Sequence, residues 1–168
     1  MSQQRDIDLV NELLAVGTET AWLEFKKDNV EPDTIGLRCS ALANGARLAG
    51  KDVAYMVWGV EDVTLQVNGT SFKPDTQKAH GQELQFWLAR QLQPSIPFEF
   101  RSLAHPDGPV VLLEIPAATS APVAFKNIPY IRIGSATPKL TDYPERYQKL
   151  IENPFVLFPM PGRTGRQQ

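Results

Sequence analysis

The chain has 168 residues, of which 42% are hydrophobic and 21% are charged, and these proportions are ordinary for a globular domain with its own core. Its formal net charge is −2 and its pI is about 5.7, which argues against a generic nucleic-acid binder, since such proteins usually carry a dense basic stripe. Because the sequence has one cysteine, no long apolar run and no secretory leader, we expect a cytoplasmic protein without a membrane partner.

Hydrophobic periodicity and turn residues predict eleven elements. The first half of the chain has a helix over 5–15, a strand over 21–26, a helix over 34–48, a central strand over 52–59 with a neighbouring strand over 63–67, and a helix over 76–92. The second half has two strand pairs, 98–103 with 110–115 and 121–125 with 130–133, and a helix that begins at Pro144. Asp33 is the predicted cap of the second helix. This order predicts an α/β fold of the α+β kind, a sandwich of one mixed sheet with helices packed against it.

The predicted domain covers residues 1–153, and 154–168 form a proline-rich C-terminal tail. Prolines forbid a regular element in the tail. Its apolar run Phe155–Phe158 is expected to pack on the domain or on a second subunit, which would make the protein a homo-oligomer.

Three carboxylates form the first candidate site. Glu24 and Lys26 share one face of the first strand because side chains alternate along a strand, and Glu19 can join them from the preceding turn. Asp62, or its neighbour Glu61, follows the central strand. Three such acids would bind Mg²⁺ or Mn²⁺ beside a lysine that meets a phosphate. The alternative interpretation is an exposed edge of weak Glu–Lys pairs.

A second candidate site lies late in the chain, where Lys126, Tyr130, Arg132 and Lys139 occur close together. Tyr130 and Arg132 alternate with apolar residues, so they share one face of a predicted strand. An aromatic ring and cations on one face are typical of single-strand nucleic-acid binding. The alternative interpretation is the ordinary solvent-facing side of an edge strand.

Five short motifs appear in a fixed order along most of the chain. They are Glu19-Thr20-Ala21-Trp22-Leu23-Glu24-Phe25-Lys26, Ala41-Leu42-Ala43-Asn44, Gly59-Val60-Glu61-Asp62, Pro122-Val123, and Tyr130-Ile131-Arg132-Ile133-Gly134-Ser135 followed by Thr137. In these motifs the chain resembles the Schlafen AlbA-like domain family, found in animal Schlafen proteins and in bacterial proteins described as transcriptional regulators. It departs from the family pattern at Thr20, where serine is usual, and over 44–51, where adjacent glycines are missing.

The resemblance implies an AlbA-like domain that binds nucleic acid, DNA or RNA, in a regulatory role, with contacts from Lys26 and from the second candidate site. For the animal relatives it implies metal-dependent RNA cleavage, in which Glu19, Glu24 and Asp62 would be the catalytic acids and would hold Mg²⁺ or Mn²⁺. A third alternative is a protein-interaction domain that assembles through Phe155–Phe158. Bacterial relatives often continue into further regions, so the chain is either a fragment or a stand-alone version.

Overall fold

The computed structural model describes residues 3–152. The helices of this part are α1 (Gln3–Ala15), α2 (Pro32–Leu48), α3 (Leu84–Gln91) and α4 (Pro144–Glu152), with a short 3₁₀ turn at Leu140–Asp142. The strands are β1 (Leu23–Lys26), β2 (Val53–Trp58), β3 (Lys78–Ala79), β4 (Gln82–Glu83), β5 (Leu92–Gln93), β6 (Glu99–His105), β7 (Gly108–Pro116), β8 (Ala124–Phe125) and β9 (Ile128–Pro129). The predicted α+β class is confirmed.

The main sheet has four strands in the order β1-β2-β7-β6. Strand β1 runs parallel to β2, whereas β7 is antiparallel to both of its neighbours, so the sheet is mixed as predicted. Strand β2 occupies the interior of the sheet and buries side chains on both faces, which explains why its sequence is apolar without alternation.

Helices cover both faces of this sheet. On one face, Phe25 of β1 and Leu112 of β7 pack with Val10 of α1. On the other face, Trp58 of β2 packs with Leu42 of α2 in a larger cluster that also includes side chains of α3 and α4. Each fully buried large apolar side chain stabilises the fold by roughly 1.5–3 kcal/mol, so the larger cluster positions α2 firmly against the sheet and the smaller one positions α1.

Helix α2 carries two glycines at points of close approach. A Cβ at Gly36 would lie 2.1 Å from the ring of Phe125, and a Cβ at Gly45 would lie 2.1 Å from the carbonyl oxygen of Ala21. Glycine is unfavourable in a helix interior by about 1 kcal/mol relative to alanine. Here that cost is offset because the turn before β1 and the β8–β9 hairpin can both sit directly on the helix.

The β8–β9 hairpin turns at Lys126 and Asn127, as predicted. Both residues have positive φ, 50° and 71°, which matches the two-residue turns that suit the twist of a hairpin. The predicted strand over 130–133 is wrong, since β9 ends at Pro129 and proline cannot donate to a strand ladder. Isolated bridges take its place, one of which joins Tyr130 to Lys139.

Two other predicted elements are also wrong. Residues 63–67 form no strand because the Glu61 carboxylate accepts hydrogen bonds from the backbone N–H of Val63 at 3.0 Å and of Thr64 at 2.9 Å, which closes a turn. Helix α3 begins at Leu84, and the preceding residues form the β3–β4 hairpin.

Helix α2 is capped by Glu31, whose carboxylate accepts from the Thr34 N–H at 2.8 Å, and the prediction of Asp33 as the cap is wrong. Among residues 3–152 no helix is long and apolar enough to cross a membrane. The tail over 154–168, with Phe155–Phe158, lies outside the described residues.

Candidate functional site

Glu19 and Arg132 close the outer edge of strand β1. Glu19 lies on the turn before the strand, and its Oε2 accepts a hydrogen bond from the Phe25 N–H at 3.0 Å while its Oε1 pairs with Arg132 at 2.6 Å. Arg132 also donates to the carbonyl oxygen of Thr20 at 2.7 Å. An uncovered strand edge can pair with another chain. An ion pair that covers the edge of β1 therefore has a structural role.

Glu24 lies on the α2 side of strand β1 and is 1% exposed. It forms ion pairs with Arg38 of α2 and, at 3.2 Å, with Lys26. The prediction that Glu24 and Lys26 share a face is confirmed, whereas the interpretation as an exposed edge of solvated pairs is wrong. Glu19, Glu24, Lys26, Arg38 and Arg132 are called the edge cluster below, and they combine two carboxylates with three cations.

Asp62 does not belong to the edge cluster. It is exposed on the turn that follows β2, and among residues 3–152 no group of three or more His, Cys, Asp or Glu side chains is placed to hold a metal ion. The prediction that Glu19, Glu24 and Asp62 gather around one ion is therefore corrected.

The donors of the edge cluster do not fit Mg²⁺ or Mn²⁺. The carboxylates of Glu19 and Glu24 are already occupied by arginine and lysine, and the one Glu24 oxygen without a hydrogen-bond partner in the described part, Oε1, is closed to solvent. A divalent cation would have to displace these protein cations. A catalytic role for Glu19, Glu24 and Asp62 stays a prediction.

A groove of about 470 Å³ runs between α2 and the β8–β9 hairpin. It is lined by Asp33, Thr34, Leu37 and Arg38 of α2, by Phe125, Lys126 and Ile128 of the hairpin, and by Tyr130, Ser135 and Thr137 beyond it. The predicted residues Lys126 and Tyr130 are thus brought together. Cations and an aromatic ring in one open groove can accept a group that is both anionic and planar.

Asp33 and Lys126 line the groove, and His80 lies beside it, where it hydrogen-bonds to Asp33. These three titratable side chains are called the groove rim below. Asp33 accepts hydrogen bonds from His80 Nε2 and from Lys126 Nζ, both at 3.1 Å. The three side chains are 43%, 53% and 45% exposed. Burial alone would raise the pKa of Asp33, but the hydrogen bonds from His80 and Lys126 outweigh it, so this pKa lies below its ordinary value.

Aromatic rings lie beneath the groove rim. Lys126 Nζ is 5.5 Å from the ring centroids of both Trp87 and Phe125, and the ring of His80 lies 4.9 Å from that of Trp87. Cations within about 6 Å of a ring face are attracted to it. These rings therefore hold Lys126 near the groove while its ammonium group stays accessible.

Two polar residues of α2 fix the far wall of the groove. Asn44 is fully buried, donates to the carbonyl oxygens of Val123 at 3.0 Å and Tyr130 at 2.8 Å, and accepts from the Val123 N–H at 2.8 Å. Ser40 donates to the Val123 carbonyl at 2.6 Å and accepts from the Tyr130 N–H at 2.9 Å. The backbone of Tyr130 is therefore held by two hydrogen bonds and that of Val123 by three.

The structure separates the predicted nucleic-acid-binding residues into two groups. Lys126 and Tyr130 line the groove, and Lys139 is exposed opposite the backbone of Tyr130. In contrast, Arg132 is 8% exposed and Lys26 is 19% exposed, and both are engaged in ion pairs. The prediction that Tyr130 and Arg132 present one accessible face is wrong, because the chain leaves the strand conformation after Pro129.

Sequence reasoning missed Arg38, Ser40, Asn44 in its anchoring role, and His80. Ser40 and Asn44 are four residues apart, the spacing that places side chains on one helix face, and a polar pair at this spacing on an apolar helix is a readable signal. No comparable signal marked His80, whose partners are distant in the sequence.

Comparison with known proteins agrees with this fold. The Schlafen, AlbA_2 family model matches residues 19–141. The crystal structure of the DIP2311 protein from Corynebacterium diphtheriae is similar with a TM-score of 0.59 and 14% identity, over 92% of this chain and 33% of that one. The chain thus spans about a third of that protein's length, and at this identity the likeness concerns the fold alone.

A second solved structure, the N-terminal domain of a RecG-related protein from Nitrosomonas europaea, is 25% identical with a TM-score of 0.48, over 77% of this chain and 89% of that one. A search of curated proteins finds no match. The family model covers most of the chain, including the edge cluster, α2 and the groove, and the chain therefore belongs to the Schlafen, AlbA_2 family.

Proposed function

We propose that this chain is a nucleic-acid-binding module that contacts its ligand at the groove between α2 and the β8–β9 hairpin. The observation that carries the proposal is the placement of Lys126, Arg38 and Tyr130 in one open groove of a domain whose family resemblance implies nucleic-acid binding. The regulatory role rests on the resemblance alone. The resemblance implies either DNA or RNA as the ligand.

Lys126 is the cation best placed to meet a phosphate. Its side chain is 45% exposed, whereas Arg38 is 19% exposed and is already paired with Glu24. Phosphate contacts by exposed cations supply the salt-dependent part of nucleic-acid affinity. Because Asp33 neutralises part of the Lys126 charge at 3.1 Å, we expect modest affinity that falls steeply with salt.

Tyr130 supplies the second kind of contact. Tyr130 lines the groove and is partly buried against the core. Its backbone is fixed by Ser40 and Asn44, so a contact with its ring carries a small ordering cost. Stacking of a base on an aromatic side chain is worth about 1–3 kcal/mol and does not depend strongly on sequence. Lys139, which lies opposite Tyr130, can extend the phosphate contacts beyond the groove.

A binding titration tests this proposal. Labelled single-stranded and duplex oligonucleotides are titrated at about 50 mM and about 200 mM salt with the wild-type chain, Lys126→Gln, and Lys73→Gln. Lys73 is an exposed lysine beside a different cavity, so its variant matches the charge change without touching the groove. We expect Lys126→Gln to weaken binding by roughly three- to tenfold at low salt and to lower the salt slope by about one.

The two lysine variants separate the outcomes. Equal weakening by Lys126→Gln and Lys73→Gln would show that only the overall charge matters, and the groove would lose its assigned role. No binding by the wild-type chain at low salt would remove the nucleic-acid proposal itself.

A further inference from the structure

We infer that His80, which hydrogen-bonds to the groove residue Asp33, is a protonation-dependent charge beside the groove, so that nucleic acid binds more tightly as the pH falls. The inference rests on the proposed function. It is carried by the arrangement of the groove rim, in which one carboxylate, Asp33, is shared between His80 and Lys126 at 3.1 Å on each side.

The charge of the groove rim depends on His80. With a neutral imidazole, the carboxylate of Asp33 and the ammonium group of Lys126 cancel, and the rim has no net charge. Protonation of the imidazole adds one positive charge beside the groove. Histidine is the side chain whose charge ordinarily changes between about pH 5 and pH 8.

The surroundings of His80 allow this charge to reach a ligand. The side chain is 53% exposed, and the groups that face it across elements are Asp33 of α2, Lys126 of the hairpin turn and the uncharged ring of Trp87 of α3. Its own β3–β4 hairpin adds Lys78 and Glu83, which are opposite each other in register.

Protonated His80 also competes with Lys126 for the same carboxylate. Asp33 Oδ1 faces the imidazole and Oδ2 faces the ammonium group. A stronger pair between Asp33 and a charged imidazole lets the Lys126 ammonium turn toward a phosphate. Both effects have the same sign, since each raises the positive charge that the groove presents.

The second histidine of the chain does not take part. His105 is 9% exposed, and it is held by Asn11 of α1 at 2.8 Å and by the backbone N–H of Asp107 at 3.1 Å. It therefore lies on the α1 side of the sheet, and it stays unchanged when His80 is substituted.

The test measures Kd for a labelled single-stranded oligonucleotide at about pH 5.8 and about pH 7.8, with wild type, His80→Gln and His80→Lys at constant ionic strength. Any other group of the chain that changes charge between the two pH values does so in His80→Gln as well, so this variant reports the contribution of those groups. We expect the wild type to bind roughly two- to fivefold more tightly at the lower pH than His80→Gln does, from one exposed charge.

The salt slope gives an independent readout. At the lower pH the wild type should show a slope of log K against log salt steeper by about 0.7 than that of His80→Gln, and His80→Lys should show the steep slope at both pH values. The wild type and both variants should unfold at similar denaturant concentrations, because the His80 side chain is exposed.

Two results would overturn the inference, and they differ from a failure of the proposed function. Equal pH dependence in wild type and His80→Gln would assign the effect to other groups, while binding at the groove survived. A wild type that binds with the same Kd at both pH values would likewise show that His80 does not affect binding, while the groove would keep its assigned role. No binding at either pH would remove the proposed function together with the inference.

Discussion

The edge cluster and the groove rim both lie against α2, and both combine carboxylates with cations, but they differ in exposure. In the edge cluster Glu24 is 1% exposed and Arg132 is 8% exposed. In the groove rim all three side chains are more than 40% exposed. Buried pairs must be satisfied within the protein because desolvation is costly, whereas exposed pairs cost little to open and are therefore free to exchange partners with a ligand.

This difference shows that acidic and basic residues in a strand motif do not by themselves mark a binding surface. The motif from Glu19 to Lys26 is the first of the motifs that carry the family resemblance, yet its side chains hold β1, α2 and Arg132 together. The groove rim has no continuous motif in the sequence, yet it is the part that a ligand can reach.

The largest expected effect concerns the anchor that supports the groove. Asn44→Ala removes two hydrogen bonds from buried backbone groups of Val123 and one from the part-buried carbonyl of Tyr130. Since each unsatisfied buried group costs about 1–3 kcal/mol, we expect the free energy of unfolding to fall by about 4 kcal/mol. Urea denaturation measures it, and a fall below about 1 kcal/mol would contradict the anchoring role.

The next effect contrasts the two charged regions directly. Glu24→Gln leaves Arg38 and Lys26 without their buried carboxylate, and we expect a loss of about 3 kcal/mol. Asp33→Asn, the matched change at the groove rim, should cost less than about 1 kcal/mol. Both values come from the same urea titrations, and equal losses would break the distinction between buried and exposed pairs.

Asp33→Asn should also change ligand binding in the opposite direction from Lys126→Gln. Removing the carboxylate frees the Lys126 ammonium, so we expect oligonucleotide affinity at neutral pH to rise by roughly two- to fivefold. The salt titration described for the proposed function measures it. Weaker binding by Asp33→Asn would show that the carboxylate itself takes part in recognition.

The smallest expected effect concerns Cys39, a buried cysteine of α2. The reactivity of its thiol reports whether the helix opens. Burial raises the pKa of the Cys39 thiol from 9.0 to about 12, so a disulfide reagent should react with it only through unfolding. Because the folded-state pKa is raised, the stability that Cys39 contributes is complete below about pH 9 and is lost as the pH rises toward 12.

Thiol reaction rates across urea concentrations check this expectation. Rates that follow global unfolding agree with a rigid α2. Fast reaction in the native state would show local opening of the helix beside the groove. Helix α2 would then not be a rigid support for the groove.

The sequence by itself determined the element types of most of the chain. Apolar runs without alternation identified β2, and the His105–Gly108 turn identified the β6–β7 pair, since these signals depend on neighbours within a few residues. The Lys126–Asn127 turn was also predicted, as the break between two strand-like segments. The order of the elements predicted the α+β fold, and the family resemblance implied the same class.

Only the tertiary structure decided which charges are buried and which are free. Arg38 meets Glu24, Arg132 meets Glu19, and Asp33 meets both His80 and Lys126 through contacts between residues far apart in the chain. Periodicity cannot encode such pairings, because a side chain's partner depends on how α2, β1 and the β8–β9 hairpin pack. The same lysines and carboxylates that looked alike in the sequence therefore acquired different roles once burial set the cost of leaving them unpaired.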